Sequence, residues 1–115
     1  MHEVSLMQQT LDIVLAHAER SHARHVSKVR LRIGDDSGVL PTAMTFAFGV
    51  VTGGTIAEGA KLVIETVPVT CYCRICDREF TPTDIVYECP LCGVVSSDVR
   101  TGRELEVTSI EVEDQ

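Results

Sequence analysis

The chain has no tryptophan, and its aromatic content is only 4 %. It also has no apolar stretch near the roughly 20 residues that a membrane helix needs, so a helical membrane span is not expected. The start, Met1-His2-Glu3-Val4, lacks the basic and apolar regions of a signal peptide. The sequence therefore points to the cytoplasm. Basic residues are few: 10 Lys and Arg stand against 17 Asp and Glu, for a net charge of −7. Nonspecific nucleic-acid binding needs positive charge to neutralise phosphates, so no nucleic-acid partner is expected. No nucleophile–base pair, phosphate-binding loop or paired acids in a catalytic setting can be found, and Asp35-Asp36 reads as a turn. The sequence points away from an enzyme.

What is present is enough for one small domain. With 115 residues, 44 % of them hydrophobic, the chain can bury a core. The charge is uneven. Residues 1–69 carry six basic and seven acidic groups; residues 70–115 carry four and ten.

The apolar spacing predicts α+β structure. Met7, Leu11, Val14, Leu15 and Ala18 share one helical face. Ser5 with Gln8 has the form of a capping box, which would start this helix at Ser5 and run it to between Ser21 and Arg24. Lys28–Ile33 alternates as a strand. Pro41 suits the first turn of a second helix ending before Gly53-Gly54, with Ala43, Phe46, Ala47, Val50 and Val51 inward. Leu62–Val67 and Glu104–Glu113 read as further strands. In the last, the apolar phase slips between Val107 and Ile110, so a β-bulge is expected near Thr108-Ser109. Two strands make a marginal sheet, so the last strand should return to complete a three-stranded one. The expected architecture is two helices on a small three-stranded sheet, residues 1–69 plus 103–115, with residues 70–102 inserted. Val67-Pro68-Val69 and Arg100 to Arg103 would be the crossings.

All five cysteines fall in that insert. Cys73-Arg-Ile-Cys76 and Cys89-Pro-Leu-Cys92 are two CxxC knuckles. Two residues between cysteines let both sulfurs reach one ion from a tight turn, and Asp77 and Gly93 follow at positions that favour positive φ. Four thiolates around Zn(II) make a closed tetrahedral site whose role is structural. Cys71 is left over. It could in principle replace Cys73 as a ligand, but a strand position at the insert's edge suits it better. Phe80, Ile85 and Tyr87 are expected to shield the site. Tetrahedral sulfur also suits iron, so a rubredoxin-like electron carrier is one alternative, disfavoured by the scarcity of aromatics. A zinc-ribbon adaptor that only binds protein is another.

At the chain start, His2 is too large to permit removal of Met1, so the Met1 amine should stay free. That amine, the His2 amide nitrogen and the His2 imidazole can chelate one ion, a donor set that favours square-planar Ni(II) or Cu(II). Glu3 adds a carboxylate or a backbone nitrogen. His17, His22 and His25 lie on or just after the first helix and read as solvent-facing.

Met1 to Leu6, Phe46-Ala47-Phe48, Gly54 to Leu62, the two knuckles and Gly102-Arg103-Glu104-Leu105, in this order, resemble the HypA/HybF hydrogenase nickel-incorporation proteins. The resemblance covers essentially the whole chain. It implies a metallochaperone that holds Ni(II) as cargo through His2, with Met1 and Glu3 assisting. It implies a structural Zn(II) on Cys73, Cys76, Cys89 and Cys92. It also implies delivery to the large-subunit precursor of a [NiFe]-hydrogenase, in cooperation with a maturation GTPase. The sequence leaves monomer and homodimer both open. Cys71 is outside the family's four-cysteine pattern. Asp35 or Asp36 could supply a further nickel ligand, although a solvated turn is the favoured reading.

Overall fold

A computed structural model describes residues 2–114. The first helix, α1, spans His2–Arg20 and buries Met7, Leu11, Val14 and Ala18, with Leu15 half-buried beside them. It begins three residues earlier than the capping signature implies. Ser5 lies inside the helix, and the Gln8 side chain donates to Asp12 instead. The helix closes in a Schellman motif: the Ala23 amide donates to the Ala18 carbonyl at 2.9 Å and the His22 amide to the Glu19 carbonyl at 3.0 Å, with His22 at φ 56°.

Strand β1 (His25–Gly34) follows, then α2 (Pro41–Val51) and β2 (Lys61–Val67). Pro41 occupies the first turn of α2 as expected. The buried face of α2 is Met44, Ala47 and Phe48, whereas Phe46 is 68 % exposed and Val50 also faces solvent. The expected inward face was wrong at those two positions. No charged residue lies on α2, and only Thr42 and Thr45, both exposed, mark its outer face.

Strand β6 (Leu105–Glu113) returns to complete a sheet of order β2-β1-β6, parallel at β1/β2 and antiparallel at β1/β6. Val29 pairs with Leu62 and Ile110, and Leu31 with Ile64 and Val107, so the apolar sets of three strands meet on one face. Arg30 faces Ser109 and Leu31 faces Val107, which leaves Thr108 as the extra residue of the expected bulge. A second register shift, at Ser27, was not foreseen. Both helices cover the apolar face and share one core with it. The outer face carries ion pairs: Arg32 to Glu65 at 3.1 Å and to Glu106 at 3.3 Å, and Lys28 to Glu111 at 3.6 Å. Exposed pairs of this kind add little stability. The core supplies it. Leu31→Ala should cost about 2–5 kcal/mol, read as a lowered urea midpoint with zinc content unchanged.

The second sheet has the order β4-β3-β5, from β3 (Thr70–Cys73), β4 (Arg78–Phe80) and β5 (Val99–Thr101). Pro68-Val69 leads into it. The return is shorter than expected, because Arg100 and Thr101 belong to β5 and only Gly102 to Glu104 connect it to β6. At this junction the Gly34 amide donates to the Glu104 carbonyl and the Asp36 amide to the Gly102 carbonyl.

Candidate metal centre

Each knuckle is placed by a short strand. Cys73 ends β3, whose pairing with β4 returns the chain after Cys76. Cys89 follows a bridge between Glu88 and Val95, which turns the second knuckle back on itself. Asp77, at φ 53°, and Gly93, at φ 78°, occupy the positive-φ positions expected after each second cysteine. The Gly93 amide donates to the Cys89 carbonyl at 2.9 Å.

The sulfurs of Cys73, Cys76, Cys89 and Cys92 all lie within 4.8 Å of one another. Cys73 and Cys92 Sγ are 3.5 Å apart, Cys76 and Cys89 Sγ 3.9 Å. Zinc–sulfur bonds of about 2.3 Å at tetrahedral angles put sulfurs about 3.8 Å apart. The donor set and its spacing therefore fit Zn(II), which when bound supplies a structural crosslink with no open position.

The protons of the cluster are unequally held. The backbone amides of Cys92 and Leu91 pull the Cys89 thiol down to about 6. The hydrogen bond to Cys92, together with burial, pushes Cys76 up to about 12.

Cys71 is fully buried on β3 opposite Phe80 and is not among the clustered sulfurs. Burial pushes its thiol up. Its surroundings match the strand reading. Phe80 is buried and Tyr87 half-buried against the same cluster. Ile85, expected to shield the site, is instead 90 % exposed, because it sits in an irregular loop between Phe80 and Glu88.

At the other end of the chain, His2 opens α1 with its side chain 67 % exposed, and its Nδ1 lies 3.8 Å from Glu3 Oε2. Met1 lies outside the described residues. Asp36 is engaged elsewhere: its carboxylate accepts from Arg103 Nε at 3.3 Å across the sheet junction. That role joins residues far apart in sequence and has no local signature. His17 and His22 face solvent, whereas His25 is half-buried and contacts the Glu58 carbonyl at 3.1 Å. Among the described residues, no helix is long and apolar enough to cross a membrane.

Residues 1–112 match the family model described as hydrogenase/urease nickel incorporation, metallochaperone, hypA. A hydrogenase maturation factor HypA from Picosynechococcus is 54 % identical over 112 residues, covering 97 % of this chain and 99 % of that protein. The HypA of Geobacter metallireducens is 42 % identical over 113 residues, covering 98 % and 100 %. Among solved structures, one described as HypA protein is 25 % identical with a TM-score of 0.72, covering 100 % of this chain and 98 % of that one. The Ni metallochaperone HypA from Helicobacter pylori, 21 % identical, shares the fold with a TM-score of 0.67 over 98 % of each chain. Through the family match and these full-length relatives, the chain belongs to the HypA family of nickel-incorporating metallochaperones that act in hydrogenase maturation.

Proposed function

We propose that the chain carries Ni(II) as cargo at its N-terminal segment and passes it to the large-subunit precursor of a [NiFe]-hydrogenase, in cooperation with a maturation GTPase. His2 is the central ligand, with the Met1 amine and Glu3 beside it. Cys73, Cys76, Cys89 and Cys92 hold a structural Zn(II) in a unit of residues 70–102, apart from a nickel-carrying unit of residues 1–69 and 103–115. In this reading the chain moves a metal and catalyses no reaction.

The observation that carries this reading is the contrast between two donor sets. The cysteine cluster is closed, and two of its four cysteines are buried. His2 is exposed at the first turn of a helix. Delivery needs a site that another protein can reach and exchange with. The helix start adds a second support. Amides of the first turn have no intrahelical acceptor, so the His2 and Glu3 nitrogens are not committed to the helix. A deprotonated amide nitrogen is an anion, and the positive end of the helix dipole favours it.

Untagged, zinc-loaded protein titrated with nickel by calorimetry should show roughly stoichiometric uptake. His2→Ala should abolish that heat while zinc content and the circular dichroism spectrum stay unchanged. Equal affinity in the variant would overturn the assignment. Extending the N-terminus by a peptide, which converts the Met1 amine to an amide, should weaken uptake; an untouched affinity would remove Met1 from the ligand set.

A further inference from the structure

The helices α1 and α2 lie side by side on one face of the β2-β1-β6 sheet, in one shared core. Two adjacent helices span about 20 Å. Three strands at a spacing of about 4.8 Å cover only about 14 Å. The helical layer is thus wider than the sheet by about one strand, and the shortfall shows on the α1 side. There a groove of 170 Å³ runs between α1 and β6, lined by Ile13, Val14 and His17 from the helix and by Val107 to Ile110 from the strand. Ile13, at its lip, is 54 % exposed.

Beside the groove, β6 is a sheet edge whose strand neighbour is β1. The Gly34 amide bonds to the Glu104 carbonyl. By alternation from that bond, with Thr108 as the extra residue, the amides of Ile110 and Val112 point away from β1. Natural proteins blunt such edges with charged side chains, above all lysine, with proline, or with β-bulges. Residues 105–113 contain no lysine or proline. Their protection is three glutamates and the bulge, and the glutamates are a barrier to acidic strands, not to basic ones. The bulge interrupts the edge at Thr108 and leaves 109–113 as the longer regular run.

We propose that β6 accepts, as a fourth strand, an extended segment of a partner protein in which apolar and basic residues alternate. Its apolar side chains would fill the groove beneath Ile13 and His17. Its basic side chains would lie on the opposite face, beside Glu106, Glu111 and Glu113. Each of those carboxylates already has a partner on β1: Glu106 in Arg32, Glu111 in Lys28 and Glu113 in His25. A basic segment would add another. A second copy is disfavoured, because pairing β6 against β6 over residues 109–113 would set Glu111 against Glu111. The proposal is independent of the nickel site.

The test uses the full zinc-loaded chain, labelled with nitrogen-15, and an acetylated eight-residue peptide of alternating valine and lysine. Saturable amide shifts confined to residues 107–113 and 13–17 are expected. N-methylation of alternate peptide bonds, on the edge that pairs, should abolish them, and Ile13→Ser should weaken binding about tenfold. A valine–glutamate peptide should give no response. The absence of saturation at millimolar peptide, shifts elsewhere on the molecule, or an equal response to the N-methylated or glutamate peptide would each overturn the proposal. His2→Ala should leave the response unchanged.

Discussion

Cys89→Ser should release zinc and unfold residues 70–102 while α1, α2 and the β2-β1-β6 sheet keep their structure. The reason is the composition of the second core. Its buried members are Cys71, Cys73, Phe80 and Cys89, so two of the four belong to the sulfur cluster that could hold the ion. The larger apolar side chains of the same segment, Ile75, Ile85, Leu91, Val94 and Val95, are exposed. Without an ion there is little to hold β3, β4 and β5 together. Structural zinc contributes on the order of 10 kcal/mol or more in small domains, well above what Phe80, Cys71 and the half-buried Val69, Tyr87 and Val99 can replace. Zinc content by atomic emission should fall to near zero. Amide exchange should accelerate in β3 to β5 and stay slow in β1 and α1. Retained protection in β3 without bound zinc would overturn this account.

The same cluster sets the acid limit of loading. In the metal-free state Cys89 titrates near 6 because the amides of Cys92 and Leu91 stabilise its thiolate. Its thiol pKa is lowered on folding. The stability it contributes is therefore complete above the ordinary thiol range and is lost as pH falls through about 6. Cys76, raised to about 12 chiefly by its hydrogen bond to Cys92, has the opposite sign: its contribution is present below the ordinary range and is lost as pH rises through about 12. Zinc requires all four as thiolates and competes with protons at each. Chelator-driven zinc loss, followed by absorbance, should accelerate as pH drops below 6.

Which features could be read in advance follows from how local their physics is. The knuckles and their positive-φ successors are fixed by residues within a few positions of one another, and Asp77 and Gly93 stand where the spacing places them. The bulge at Thr108 was legible because a slip of one residue in an alternating strand leaves a visible phase error. The start of α1 was not, since the first turn of a helix makes few internal hydrogen bonds and the Ser5–Gln8 pattern outweighed it. The face of α2 was obscured because Phe46 and Phe48 are alike in sequence, and only contact with α1 and the sheet distinguishes them. The partner of Asp36 was hidden for another reason: Arg103 reaches it only after the chain has left the first sheet and returned.

The junction makes the second large effect. Gly34 ends β1 where the chain passes directly against Gly102. A Cβ added at Gly34 would stand 2.1 Å from the Gly102 carbonyl carbon and 2.5 Å from the Arg103 nitrogen. Those atoms are backbone, and no side chain can swing aside to make room. The strand cannot retreat easily, because the Gly34 amide is bonded to the Glu104 carbonyl at 2.8 Å. Gly102 is constrained in turn. Its φ of 116° disfavours any side chain, and a Cβ there would meet Val69 Cγ2 at 2.7 Å. Gly34→Ala must therefore separate β1 from the crossing that joins the two sheets. The expected cost is about 4 kcal/mol or more, which would lower the thermal midpoint by roughly 10–20 °C. Gly49→Ala is the control, since it lies in α2 with open space where its Cβ would go. Relief of the helical glycine penalty should leave that variant as stable as the parent or slightly more so. Equal midpoints for the two variants would show that the chain can open at Gly102 without loss. The two sheets would then be joined more loosely than the packing of Gly34 on Gly102 implies.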